Sequence, residues 1–169
     1  MIEILIDDEM RLNAQNKVNK VQFDLKKEQN KFGSDKSRTV IGYLGEQLVL
    51  SYLGEAVDED NFEYDLMYKN LKIEVKTIAC KFKPKEDYLC TVNSPNEGIR
   101  KQAADYYIFT RILNDHSKGW ILGYMKCAEF FEKGKFVKKG SEALNGLYFS
   151  RGNATTLPIS ELHLMRNDR

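Results

Sequence analysis

The hydrophobic positions change their spacing several times along the chain, and each change marks an element. Ile2, Ile4 and Ile6 alternate with polar residues and predict a short strand over Ile2–Ile6. Asp7 or Asp8 then offers an N-cap for a polar helix reaching about Lys31. Its apolar stripe (Leu12, Val18, Val21, Leu25) is thin, which predicts a surface helix. A loop over Phe32–Ser37 leads to a second helix, Ser37–Tyr52, in which Val40, Ile41, Leu44, Leu48, Val49 and Tyr52 form a buried face. Gly42 and Gly45 are costly inside a helix unless another element packs closely there, and Gly54 provides a stop.

Beyond the second helix the period shortens to that of strands. Phe62–Tyr68 and Leu71–Ala79 read as a pair, and Tyr88–Val92 as a third short strand. A helix is expected over Asn96–Ala104, then an apolar strand Tyr106–Leu113, a turn Asn114–Lys118 and a strand Trp120–Met125. Cys127–Lys133 has the pattern of a short helix. The remainder alternates turns and short strands and closes with Ile159–Met165. This order predicts an α/β or α+β fold, a mixed central sheet flanked by helices. With 169 residues the chain fits one domain: an N-terminal strand and helix extension (1–36), a core (37–125) and closing elements (126–169).

Composition narrows the class without naming a function. The hydrophobic share of 42% and charged share of 30% fit a folded soluble chain. The net charge of +1 says little, because the charges are clustered. The stretch Arg11–Arg38 is rich in lysine, whereas Glu55–Asp65 holds six acidic residues and no basic one. Both runs are also what ordinary solvated surface looks like. Cys80, Cys90 and Cys127 lack zinc-knuckle spacing and are expected as reduced, mostly buried thiols in a cytoplasmic protein. No secretory signal or membrane-crossing apolar run is visible, so no membrane association is expected.

The chemically informative segment is FEYDLMYKNLKIEVKT, Phe62–Thr77. If Lys69 and Asn70 form a two-residue hairpin turn, Tyr68 faces Leu71, Leu66 faces Ile73 and Tyr64 faces Val75. That leaves Asp65 opposite Glu74 and Glu63 opposite Lys76 on the other face. Two opposed carboxylates repel unless a cation lies between them, and hard oxygen ligands at that separation suit magnesium or manganese. Taken alone, the same face also fits a solvated strand surface. Glu46 adds weight: it sits beside the buried face of the second helix, where a glutamate needs a partner.

Glu46 in GYLGEQ, Asp65 in YDL, and Glu74 and Lys76 in IEVKT together resemble the PD-(D/E)XK nuclease superfamily, which has the restriction-endonuclease-like fold. Tyrosine precedes Asp65 where that motif has proline. Gln102 and Tyr106 are similar to a glutamine–tyrosine spacing that follows the core motif in some members. The resemblance covers 37–125 well and the rest loosely. It implies a metal-dependent endonuclease, of restriction, homing or phage type, that hydrolyses DNA to 5′-phosphate and 3′-hydroxyl ends. Asp65, Glu74 and the Val75 carbonyl would bind Mg2+, with Mn2+ able to substitute. Lys76 would orient water or stabilise developing charge, and Glu46 would assist the metal. Lys81, Lys83, Lys85, Arg100, Lys101 and Gln102 are the expected nucleic-acid contacts, because they follow the catalytic strand. The lysines of the N-terminal helix and those at 133, 135, 138 and 139 are further candidates. His116 is read as a loop residue. Double-strand cutting by a protein this small implies a homodimer or higher homo-oligomer, and a phage origin would place it in the host cytoplasm. Alternatives are a structure-specific nuclease (a junction resolvase or a recombination or repair exonuclease) and a non-catalytic DNA-binding protein on the same fold.

Overall fold

Strand β1 (Ile2–Leu5) opens the computed structural model, which describes residues 1–27, 36–59, 63–94, 103–143, 148–149 and 152–165. Helix α1 (Asp8–Lys27) follows, capped by Asp7, whose carboxylate accepts the Met10 N–H at 2.8 Å. Asp8 and Glu9 in its first turn complement the helix dipole. Helix α2 (Lys36–Leu53) stops where Gly54 takes φ +67°, a left-handed conformation that glycine adopts at least cost. The chain continues through β2 (Val57–Asp58), β3 (Leu66–Tyr68), β4 (Leu71–Cys80), β5 (Leu89–Asn93), β6 (Tyr106–Leu113) and β7 (Lys118–Lys126). Helix α3 (Cys127–Lys133), β8 (Lys135–Val137), β9 (Glu142–Ala143), β10 (Tyr148–Phe149), β11 (Ala154–Pro158) and a 3-10 turn (Ile159–Glu161) complete it.

The central sheet has the order β1-β7-β6-β4-β3-β2. All its pairings are antiparallel except β4 with β6, which runs from Ile73 beside Tyr106 to Cys80 beside Leu113. A second sheet, β5-β11-β8, covers one face. The fold is therefore mixed α+β, in layers of helices, large sheet and small sheet. Side-chain alternation divides the core accordingly. Ile73, Val75, Ile108, Ile112 and Ile121 meet Leu44, Leu48 and Val49 of α2. On the other face Tyr107, Phe109, Trp120, Leu122 and Met125 meet Phe130 and the small sheet's Cys90, Val92 and Leu157. A bulge keeps this division intact: Phe109 pairs with Gly123 but Thr110 with Ile121, so Met125 returns to the face of Trp120 and Leu122 despite its odd spacing.

Glycine 45 explains how closely α2 lies on the sheet. A Cβ there would collide with the Thr77 hydroxyl and lie 2.6 Å from that of Thr110, and those two hydroxyls are themselves hydrogen-bonded at 2.9 Å. Gly42, by contrast, has open space around it, so close packing accounts for only one of the two.

Several expectations need correction. Helix α1 lies on the surface along α2, as expected, with Ala14 and Val18 its buried positions among the described side chains, whereas Leu12 of the expected stripe is exposed. The strand expected over Phe62–Tyr68 is only Leu66–Tyr68, because the chain bends at Asp65. The strand near Tyr88 belongs to the small sheet, not to the hairpin's. The helix expected over Asn96–Ala104 lies largely outside the described residues, and Ala103 and Ala104 are not helical. The closing strand lies earlier than expected, at Ala154–Pro158. Beyond it the chain turns at Ile159–Glu161 and touches the large sheet through the bridge of His163 with Tyr124. The three cysteines are free and buried, as expected. Among the described residues no helix is long and apolar enough to cross a membrane.

Candidate active site

The β3–β4 hairpin sets the geometry of the acidic residues. Lys69 (φ 48°) and Asn70 (φ 64°) form the two-residue turn, and the register is Tyr68 with Leu71, Met67 with Lys72, and Leu66 with Ile73. One residue further the ladder ends. The chain bends at Asp65, whose own N–H still donates to the Ile73 carbonyl at 3.0 Å, and its carboxylate takes the place of a backbone acceptor, receiving the Val75 N–H at 2.7 Å. A residue's N–H and C=O leave a strand on the same side, so the Val75 carbonyl points toward the same gap. The expected continuation of the ladder, with Tyr64 opposite Val75 and Glu63 opposite Lys76, does not form. Glu63 lies instead 3.9 Å from the Lys72 ammonium.

Glu74 and Lys76 share a face of β4, two residues apart, as the alternation requires. The Lys76 ammonium donates to the Glu74 carboxylate at 2.5 Å. Their neighbours across the parallel pairing are Tyr107 and Phe109, so Glu74 rests on an aromatic floor and is buried. Glu46 approaches from the opposite side, on the helix that covers the Val75 face, and is also buried. Asp65, at the end of the broken ladder, lies between the two.

Two residues that sequence reasoning did not assign complete the network. The Lys17 ammonium of α1 lies 2.7 Å from the Glu46 carboxylate and 2.6 Å from that of Asp58, and sits 4.9 Å above the Tyr43 ring. Asp58 belongs to β2, whose partner Leu66 immediately follows Asp65. The only signal in the sequence was that Lys17 lies in the lysine-rich run and Asp58 in the acidic one. Nothing local says that those runs meet.

The electrostatics follow from burial. Removal from water pushes the Glu46 carboxyl up to about 8, helped by the nearby Asp65 charge and opposed by Lys17. Desolvation also raises Asp65, against the pull of the Val75 N–H, Lys76 and Lys17. Glu74 is raised by desolvation and by Asp65, with Lys76 opposing. Burial works to lower the Lys17 ammonium, but Glu46 and Asp58 outweigh it and the net shift is upward. Glu46 and Glu74 are buried, Asp65 half-buried and Asp58 exposed; fully ionised, the first three would outnumber the two ammonium groups of Lys17 and Lys76 by one charge in a desolvated place.

That excess is what a divalent cation would neutralise. Among the described residues no three Asp, Glu, His or Cys side chains converge into a complete metal cage. The donors that fit are Asp65, Glu74 and the Val75 carbonyl, with water filling the remaining positions. This suits magnesium, which usually keeps several waters and takes one or two carboxylates. Glu46 feels the Asp65 charge and accepts from the Lys17 ammonium, so it could assist a cation held at Asp65.

The expected nucleic-acid contacts divide. Lys81, Lys83 and Lys85 are exposed but lie past the far end of β4. At about 3.3 Å per residue, Lys81 is about 23 Å along the strand from Glu74, and Lys83 feels Glu3 of β1. Nearness to the acids, the reason for expecting them at the site, does not hold. Arg100, Lys101 and Gln102 lie outside the described residues. Lys133 is paired with Glu129, and His116 occupies a positive-φ turn (57°). Compared with models of known families and with curated proteins, the chain has no significant match.

Proposed function

We propose that this chain is a metal-dependent DNA endonuclease with a restriction-endonuclease-like core, hydrolysing phosphodiester bonds to 5′-phosphate and 3′-hydroxyl ends. The observation that carries the reading is the placing of Asp65, held on the Val75 N–H, by the Glu74 and Lys76 pair of β4, with Glu46 and its partner Lys17 on the other side of Asp65. Protons on these raised carboxyls relieve the crowding in the absence of metal, and a divalent cation would relieve it in their place. Mg2+, or Mn2+ in its place, would be held by Asp65, Glu74 and the Val75 carbonyl, and would supply Lewis-acid polarisation of the phosphate.

The chain's own groups do the rest. Lys76 extends from the same strand face as Glu74, so its ammonium can donate to an attacking water or to the developing phosphorane charge. Asp65 is fixed by the Val75 N–H and cannot swing freely, which preserves its distance to Glu74. Glu46, desolvated and readily protonated, can accept or return a proton beside Asp65. Cutting both strands of a duplex would require two copies of the chain.

A substrate panel tests the reading: linear duplex, nicked circle, four-way junction and single-stranded DNA, each with Mg2+ and with Mn2+. Cleavage of ordinary duplex supports the endonuclease, and cleavage restricted to the junction or to ends moves the assignment to a structure-specific nuclease. Binding without cleavage in either ion replaces it with a non-catalytic DNA-binding role.

A further inference from the structure

Between α1 and α2 runs an open groove of about 510 Å³, lined by Asn13, Asn16, Lys17, Lys20, Gln47, Leu50 and Asp58. Four of these residues (13, 16, 17 and 20) follow the i, i+3, i+4, i+7 pattern and so share one face of α1. The opposite wall carries Gln47, which follows Glu46 on α2, and the two walls touch where the Asn13 amide donates to that of Gln47 at 3.3 Å. The lining is chemically unusual for a furrow between packed helices: three carboxamides, two lysines, and one carboxylate, Asp58, already bound to Lys17. Carboxamides and ammonium groups donate hydrogen bonds to phosphate oxygens, and amides also match base edges.

The groove adjoins the acidic cluster through Lys17 and Asp58. Lys17 lines it and binds Glu46, and Asp58 lines it one strand away from the end of Asp65. A chain lying in the groove would meet the cluster at Lys17, where that ammonium is shared between Glu46 and Asp58.

We infer that this groove is the track for one phosphodiester strand of DNA, with Asn16 and Lys20 on its rim contacting the backbone and Lys17 marking its junction with the cutting site. The inference rests on the nuclease reading for its choice of ligand, and it selects the lysines of the N-terminal helix from among the basic groups that the sequence offered.

The test is fluorescence anisotropy of a labelled single-stranded DNA oligonucleotide with the full chain, in EDTA and in calcium. The variants are Lys20→Glu, Asn16→Asp and, as a reversal of equal charge outside the groove, Lys126→Glu; Lys20, Asn16 and Lys126 are exposed, and thermal melts verify folding. Plasmid cleavage with Mg2+ is run beside it. Lys20→Glu and Asn16→Asp are expected to bind at least about tenfold more weakly, with the salt dependence of Lys20→Glu reduced by about 0.7 for the lost contact; Lys126→Glu stays near wild type. Groove variants that bind like wild type overturn the track, as does a wild type that binds no DNA in either buffer. If the groove variants lose binding while wild type cuts nothing, the track stands and the nuclease reading falls. If wild type cuts and the groove variants bind and cut equally well, the nuclease reading stands and the track falls.

Discussion

Raising the pH of the metal-free protein from about 5.5 to 8 should destabilise it, the reverse of what salt-bridged carboxylates usually do. Glu46 is the dominant contributor. Its carboxyl sits near 4.5 in an unfolded chain and is pushed up to about 8 by burial and by Asp65 in the folded one. Between those values the folded state holds a proton that the unfolded state has released, so stability falls as pH rises. At about 1.4 kcal/mol per pH unit, and allowing for the rounding of both titrations at the ends of the window, Glu46 alone accounts for on the order of 3 kcal/mol. For a domain of this size that is about 6–12 °C in Tm. Asp65 and Glu74 are shifted in the same direction and add to the slope. The assay is a calorimetric or circular-dichroism melt series in EDTA across the window, for wild type and for Glu46→Gln, whose side chain keeps the shape but cannot ionise. Wild type should lose stability steadily and the variant should show a clearly shallower slope. A wild-type Tm that is flat or rises over this range would refute the burial argument for Glu46.

Other expectations follow from the same contacts. Mg2+ or Mn2+ should raise Tm strongly at pH 8, where the carboxylates are ionised, and little at pH 5.5, where protons compete; equal shifts at both would contradict the proposed ligands. Lys17→Met leaves Glu46 and Asp58 without their cation and should cost about 3 kcal/mol in a urea titration near pH 9, above the folded-state titration of Glu46 near 8. The loss should shrink toward neutral pH and below, where Glu46 is protonated. Gly45→Ala should cost about 1–3 kcal/mol, because its new methyl group meets two threonine hydroxyls on β4 and β6, whereas Gly42→Ala, with open space, should be neutral or slightly stabilising.

The hairpin was legible because its rules are local. Alternation and the tolerance of asparagine for positive φ gave both the turn and the register of Leu66, Met67 and Tyr68 against β4. The limits of β6 and α3 were legible for the same reason, each being a strong periodic run ended by a turn or a glycine. Asp65 was placed near Glu74 by extending the ladder, yet it reaches that neighbourhood by leaving the strand and capping the Val75 N–H, which no period encodes. Lys17 and Asp58 were missed because their meeting depends on α1 lying along α2, a contact between residues 41 apart in the chain. The small sheet was hidden likewise, since β5, β8 and β11 are short strands that pair only across long separations. Lys81, Lys83 and Lys85 were drawn to the site by their nearness in sequence, but an extended strand carries its end far from its middle.

The most direct test of the central claim is supercoiled plasmid incubated with Mg2+ or Mn2+ and wild type, Asp65→Asn or Lys76→Ala, with melts to verify that both variants are folded and EDTA blanks throughout. The account predicts nicked or linear DNA from wild type alone, with both variants reduced by at least about a hundredfold. Variants that cut as well as wild type, or a wild type that leaves the plasmid intact in both ions, would contradict it and leave the cluster of Glu46, Asp65, Glu74 and Lys76 as a structural charge network.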